Sequence, residues 1–160
     1  MIKIKIITLG KLKERYLNDA VEEYLKRLSG YAKTEIIELT PVKLSDNPSE
    51  QEITKALDTE ADLILKKLNG KEYITALCIE GKQMSSEELS AEVSANINGG
   101  EGNLVYIIGS SYGLSQKIKN IANKKLSFGK MTFTHQLFRV MLLEQIYRAF
   151  KIMEGSKYHK

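Results

Sequence analysis

The stretch N-L-V-Y-I-I-G-S-S-Y-G-L, residues 103–114, decides how this chain folds. From Leu104 to Ile108 every residue is large and apolar, at odd and even positions alike. A strand of that kind has no solvent face, so both of its sides must be covered. Gly109 and Gly113 frame a tight turn, and the polar run from Ser115 to about Asn123 reads as a short helix. Strand, glycine turn and helix in that order are the unit of an α/β domain with a parallel sheet.

Working outward, Y-I-T-A-L-C-I (73–79) is a second uninterrupted apolar run, expected to be a strand buried on both faces. Ile2, Ile4 and Ile6 alternate with Lys3 and Lys5, the pattern of a strand covered on one side. Leu12, Tyr16, Ala20, Tyr24 and Leu28 recur four apart, which predicts their common burial on a helix ending near Gly30. T-E-I-I-E-L (34–39) reads as a strand, and the segment after it, with both prolines, as a loop. Ser49 with Glu52 and Ser85 with Glu88 match capping boxes, starting helices that run to about Leu68 and about Ile97. A last short strand is expected at Leu126–Phe128, and Thr134 caps a long helix to about Met153. The alternation of strand and helix five times over makes residues 1–160 one α/β domain with a mainly parallel sheet. Ligands in such sheets gather outside the carboxyl ends of the strands, here the loops after Ile79, Ile108 and Phe128.

No run of about 18 apolar residues is present, so no membrane-spanning helix is expected. The opening M-I-K-I-K-I reads as a strand with no signal-peptide core. The single cysteine, Cys78, lies in an apolar run, reads as a buried structural thiol and points to a reducing compartment, hence the cytoplasm. Charge is unevenly placed: Ser115–Lys160 holds 10 Lys/Arg against 2 Asp/Glu, whereas residues 1–114 hold 14 against 18. That asymmetry points to a polyanionic partner such as nucleic acid.

Several residues could carry chemistry. G-S-S-Y-G (109–113) matches the nucleophile-elbow pattern, with Ser111, Glu144 or Glu154, and His159 in the order of a hydrolase triad. The chain is short for that fold and shows no oxyanion-loop motif. Alternatively, the two glycines let backbone approach a ligand at a strand end. Two histidines 24 residues apart and one cysteine give no metal-ligand spacing, so no metal is expected. His135 and Arg139, one helical turn apart, read as neighbours on one face suited to an anion. Leu137, Met141 and Leu142 read as core, Glu144–Arg148 as a surface pair, and the tail S-K-Y-H-K of a lone chain as a frayed end.

The blocks G-K-L-K-E-R-Y (10–16), I-E-G-K-Q-M-S-S (79–86), I-I-G-S-S-Y-G-L (107–114), the long run 126–150 and the terminal Y-H-K (158–160) together resemble the bacterial large-subunit rRNA pseudouridine N3-methyltransferases. These are small members of the SPOUT, or trefoil-knot, class, and the similarity spans the whole chain. The resemblance implies a knotted C-terminal part holding S-adenosylmethionine at Leu77, Gly109 and the loop Phe128, Gly129, Lys130, Met131, Thr132 and Phe133. It implies 23S rRNA in the ribosome as substrate and a homodimer whose active site takes Tyr158, His159 and Lys160 from the other subunit. His135 and Arg139 would then face the cleft and hold rRNA, with His159 the preferred acceptor of the N3 proton and His135 the second. Ser110 stands where the family usually has a second glycine, and Thr134 where it usually has proline. A non-catalytic rRNA-binding or ribosome-assembly factor on the same fold is the alternative expectation.

Overall fold

The computed structural model describes residues 1–160. Ten elements alternate: β1 (Ile2–Leu9), α1 (Arg15–Leu28), β2 (Ala32–Leu39), α2 (Glu50–Leu65), β3 (Tyr73–Gln83), α3 (Ser86–Asn98), β4 (Asn103–Ile108), α4 (Gln116–Ile121), β5 (Lys124–Ser127) and α5 (His135–Met153). The strands form one sheet in the order β2-β1-β4-β3-β5, every pairing parallel. Alternate residues of β4 explain its unbroken apolar run. Leu104, Tyr106 and Ile108 enter a core with residues of α1, α3 and α5, while Val105 and Ile107 enter a second core with α2 and α4. The domain is thus three layers, with helices on both faces of the sheet.

Both capping boxes form as the sequence predicts, and Thr134 Oγ1 accepts from the Leu137 amide at 3.3 Å. Burial differs from expectation at four places. On α1 the buried stripe is Leu17, Val21 and Leu28, and Tyr16 is 70% exposed. The helix begins only at Arg15, and packing against α5 selects this stripe over the one four residues apart. β1 is covered on one face only at its start, because Ile6, Ile7 and Leu9 are all buried between α layers. Leu137 is 42% exposed, since it lies on the first turn of α5, beyond the neighbours that bury Leu142 and Leu143.

β3 departs furthest. It is buried from Ile74 to Leu77 but exposed at Ile79. Leu126 of β5 pairs with Leu77 and again with Lys82, so Cys78–Gly81 bulge out of the ladder. Gly81 is required there: a Cβ would lie 2.7 Å from the Leu126 and Lys125 carbonyl carbons.

Candidate active site

Ile108, Leu77 and Leu126 stand side by side in register on β4, β3 and β5. Above these carboxyl ends lies a cavity of about 780 Å³, within the range of small-molecule sites. Its walls are the β3 bulge, the loop after β4 and the segment from Leu126 to Phe138. These are the three strand ends to which the sequence points.

The loop after β4 is shaped by close backbone approach. A Cβ on Gly109 would lie 2.3 Å from the Gly113 carbonyl oxygen, and the Gly113 amide donates to Ser110 O at 2.8 Å. The position a Gly109 side chain would take is therefore filled by its own loop, while its backbone and that of Gly113 still line the cavity. Ser110 is tied from behind: its hydroxyl donates to Glu60 Oε1 on α2 at 2.9 Å, and Glu60 Oε2 accepts from the Val42 amide at 2.9 Å. Glu60 is 3% exposed. Two residues beyond the turn, Ser115 donates to Asp58 Oδ1 at 2.6 Å while capping α4.

The third wall is fixed by Ser127, whose hydroxyl bonds the amide and carbonyl of Gly129, each at 3.1 Å. Gly129 has φ of 123°, open to glycine at no steric cost. Phe128 and Phe138 pack with ring centroids 4.7 Å apart and share the cavity wall. Phe133 and Met131 are exposed at its mouth, as are Ile79 and Tyr112 on the facing walls.

His135 lines the cavity and lies against Gly10, where a Cβ would come within 2.6 Å of its ring. Its Nδ1 is buried without a hydrogen-bond partner. Burial chiefly, then the charges of Arg139 and Lys13, hold its pKa below the ordinary imidazole value. Cys78 lies on the bulge and lines the cavity, partly exposed, rather than being a fully buried thiol; burial and then Glu80 push its pKa up. Glu80 itself is paired with Lys119.

Of the expected cofactor contacts, Leu77, Gly109, Phe128, Gly129, Met131, Thr132 and Phe133 line the cavity, and Lys130 does not. Arg139 does not face it either. It is 2% exposed and turned inward, giving hydrogen bonds to Glu38, to Thr8 and to the Gly10 carbonyl. The tail is docked rather than frayed, and in this chain it lies away from the cavity. The Tyr158 hydroxyl donates to Glu144 at 3.1 Å and its ring packs on Tyr147. Burial, and next the Glu144 hydrogen bond, push Tyr158 up to about 12, so it stays protonated near neutrality. His159 Nδ1 is 3.2 Å from Arg148 Nη1 and Nε2 is 2.7 Å from Glu87. Arginine only donates, so Nδ1 accepts and the Nε2 proton goes to Glu87.

Sequence reasoning missed the bulge, the tie of Ser110 to the buried Glu60, and the places of Tyr112 and Gln136 on the cavity wall. The one available signal was Gly81 inside a strand, which commonly marks a bulge. No group of three or more His, Cys, Asp or Glu side chains is arranged to hold a metal ion, and no helix is long and apolar enough to cross a membrane.

Comparison with known proteins matches residues 2–159 to a family described as "Predicted SPOUT methyltransferase". The chain is 51% identical to a Streptococcus thermophilus protein named ribosomal RNA large subunit methyltransferase H, over 99% of this chain and 100% of the relative. It is 48% identical, with the same coverage, to one of that name from Enterococcus faecalis. Among solved structures, a probable methylase family protein from Haemophilus influenzae superposes with a TM-score of 0.58 at 13% identity, covering 98% of this chain and 70% of the other. A probable methyltransferase from Bordetella pertussis gives 0.56 at 12% identity, covering 92% and 95%. These two likenesses concern the fold alone.

Proposed function

The chain belongs to the SPOUT methyltransferase family, and from that premise we propose that it methylates N3 of a pseudouridine in 23S rRNA of the large ribosomal subunit, using S-adenosylmethionine. The observation that carries this reading is full-length identity of about one half to relatives named for large-subunit rRNA methylation. The cavity fits the cofactor in size and in lining. Leu77, Ile108, Leu114 and Leu126 offer apolar surface, and the backbone of Gly109, Phe128, Gly129, Met131, Thr132 and Phe133 offers the polar contacts.

When bound, S-adenosylmethionine supplies an electrophilic sulfonium methyl. The residues of this chain hold the cofactor and the base in line and deal with the N3 proton, since alignment is a large share of catalysis. His135 is at the cavity, its pKa is held below the ordinary imidazole value, and its buried Nδ1 has no hydrogen-bond partner. His159 becomes available once its tail leaves Glu87 and Arg148. Removing His159 alone, as His159→Ala, separates the two: full turnover in that variant leaves His135 as the acceptor.

The reading includes a homodimer acting in the cytoplasm. Its support is the exposed apolar set Ile79, Tyr112, Met131 and Phe133 around the cavity mouth, which a second copy would cover while bringing its own tail to the site.

Methyl transfer from tritiated S-adenosylmethionine to large subunits lacking the modification tests the reading. Label on those subunits alone, mapped to one pseudouridine, is expected. Binding to the subunits without transfer would instead mark an assembly factor.

A further inference from the structure

The sequence block G-K-L-K-E-R-Y (10–16) has no part in the cavity described above, yet the structure builds it against the cavity's edge. Residues 11–14 are neither helix nor strand, and three contacts fix them. The Gly10 carbonyl accepts from Arg139 Nη2 at 3.1 Å, the Leu12 amide donates to Glu38 at 3.1 Å, and the Lys13 amide donates to Gln136 Oε1 at 3.1 Å. Gln136 and its neighbour His135 both line the cavity. Leu12 packs on the core, and Lys11, Lys13 and Arg15 are exposed. The charge of Lys13 is close enough to His135 to oppose its protonation.

The sequence concentrates positive charge after Ser115, but much of that charge is neutralised within the fold. Lys119 pairs with Glu80, Lys124 with Glu92, Arg148 with Glu144 and Lys151 with Glu154. Lys11, Lys13, Arg15 and Lys130 appear in no ion pair of the structure. Two carboxylates lie beside the segment: Glu14, which is exposed, and Glu38, which is engaged by Arg139 and the Leu12 amide. Lys130 is exposed in the loop that leads into His135.

We propose that Lys11, Lys13, Arg15 and Lys130 form a phosphate-binding rim that grips the backbone of the RNA strand entering the cavity. The proposal rests on the methyltransferase reading for the identity of the RNA. Its physical basis is independent of that reading: unpaired cations on a backbone anchored at the cavity edge gain affinity by releasing phosphate counterions. Arg139, buried and bonded to Glu38, is the post that holds this rim in place, and it makes no phosphate contact itself. Phosphate contacts position a nucleic acid without reading its sequence, so base selection is left to the cavity.

The test is the full chain carrying Lys11→Gln, Lys13→Gln and Arg15→Gln together, assayed on large ribosomal subunits across a salt series. A charge-matched control carries Lys33→Gln, Lys55→Gln and Lys66→Gln on β2, α2 and the end of α2. The rim variant is expected to flatten the slope of log affinity against log salt by about 2 to 3, since each phosphate contact contributes roughly 0.7–0.9. KM for the subunits should rise about tenfold or more, with kcat and S-adenosylmethionine affinity little changed. The control should match wild type. An unchanged slope and KM in the rim variant, beside an active wild type, overturns the rim alone. An inactive wild type that binds subunits overturns the methylation reading, and the slope of that binding still decides the rim.

Discussion

Arg139, near the start of α5, places Nη1 3.0 Å from Glu38 Oε2 at the end of β2, across 101 residues of chain. Its Nη2 reaches the Thr8 hydroxyl at 3.0 Å and the Gly10 carbonyl at 3.1 Å. One guanidinium thereby joins the last helix, the first strand, its following turn and the second strand. Replacing Arg139 by methionine leaves the Thr8 hydroxyl and the Gly10 carbonyl without that donor and Glu38 with the Leu12 amide alone, and should cost about 1–3 kcal/mol of unfolding free energy in urea. Arg139→Lys should recover little, because an ammonium cannot reproduce the planar fork. A loss of RNA affinity in Arg139→Lys with full stability would contradict this assignment.

His135 makes stability depend on pH in a direction fixed by its environment. Burial, and then Arg139 and Lys13, hold the folded pKa below the 6.5 of the free side chain, so the unfolded chain binds this proton more readily. Its contribution is therefore complete above pH 6.5 and lost as pH falls through the folded value. Denaturation midpoints measured from neutrality down to about pH 5 should decline in wild type and decline less in His135→Gln. Equal slopes in the two proteins would remove His135 from the explanation.

The bond between Ser110 and Glu60 should matter to the cofactor more than its distance from the cavity floor suggests. Ser110→Ala leaves Glu60 Oε1 buried and unpaired, a penalty of about 1–3 kcal/mol that the loop can avoid only by moving. Binding of S-adenosylhomocysteine, followed by calorimetry, is expected to weaken about tenfold in Ser110→Ala and in Glu60→Ala. The double variant should be little worse than either, since both changes remove one interaction. Additive losses would show that the two residues act separately.

Much of the fold could be read from residues 1–160 because its determinants are local. β4 declares its two covered faces through five consecutive apolar side chains, and Ser49, Ser85 and Thr134 mark helix starts within a few residues of themselves. The cavity was legible for the same reason, as parallel strands set ligand sites at their carboxyl ends. What escaped depends on partners distant in sequence. The stripe four apart on α1 and the true buried stripe are both apolar enough, and only α5 chooses between them. The inward turn of Arg139 needs Glu38 and Thr8, the docking of His159 needs Glu87, and the burial of Glu60 needs Ser110. None of these pairs has a spacing that a periodicity could reveal.

The doubled pairing of Leu126, with Leu77 and again with Lys82, bears on the order in which the molecule comes together. β5 is four residues long, stands at the sheet's edge, and meets no strand except β3. The remaining four strands are translated before it, so the cavity cannot close until β5 and the segment leading into α5 have been made. The same edge is the part most exposed to local opening, since a short outer strand unravels at lower free energy than the centre. A small molecule bridging the bulge and the segment after β5 would act as a fastener across that seam. Hydrogen exchange at Lys124–Ser127 should then report occupancy of the site before any global change in stability is seen.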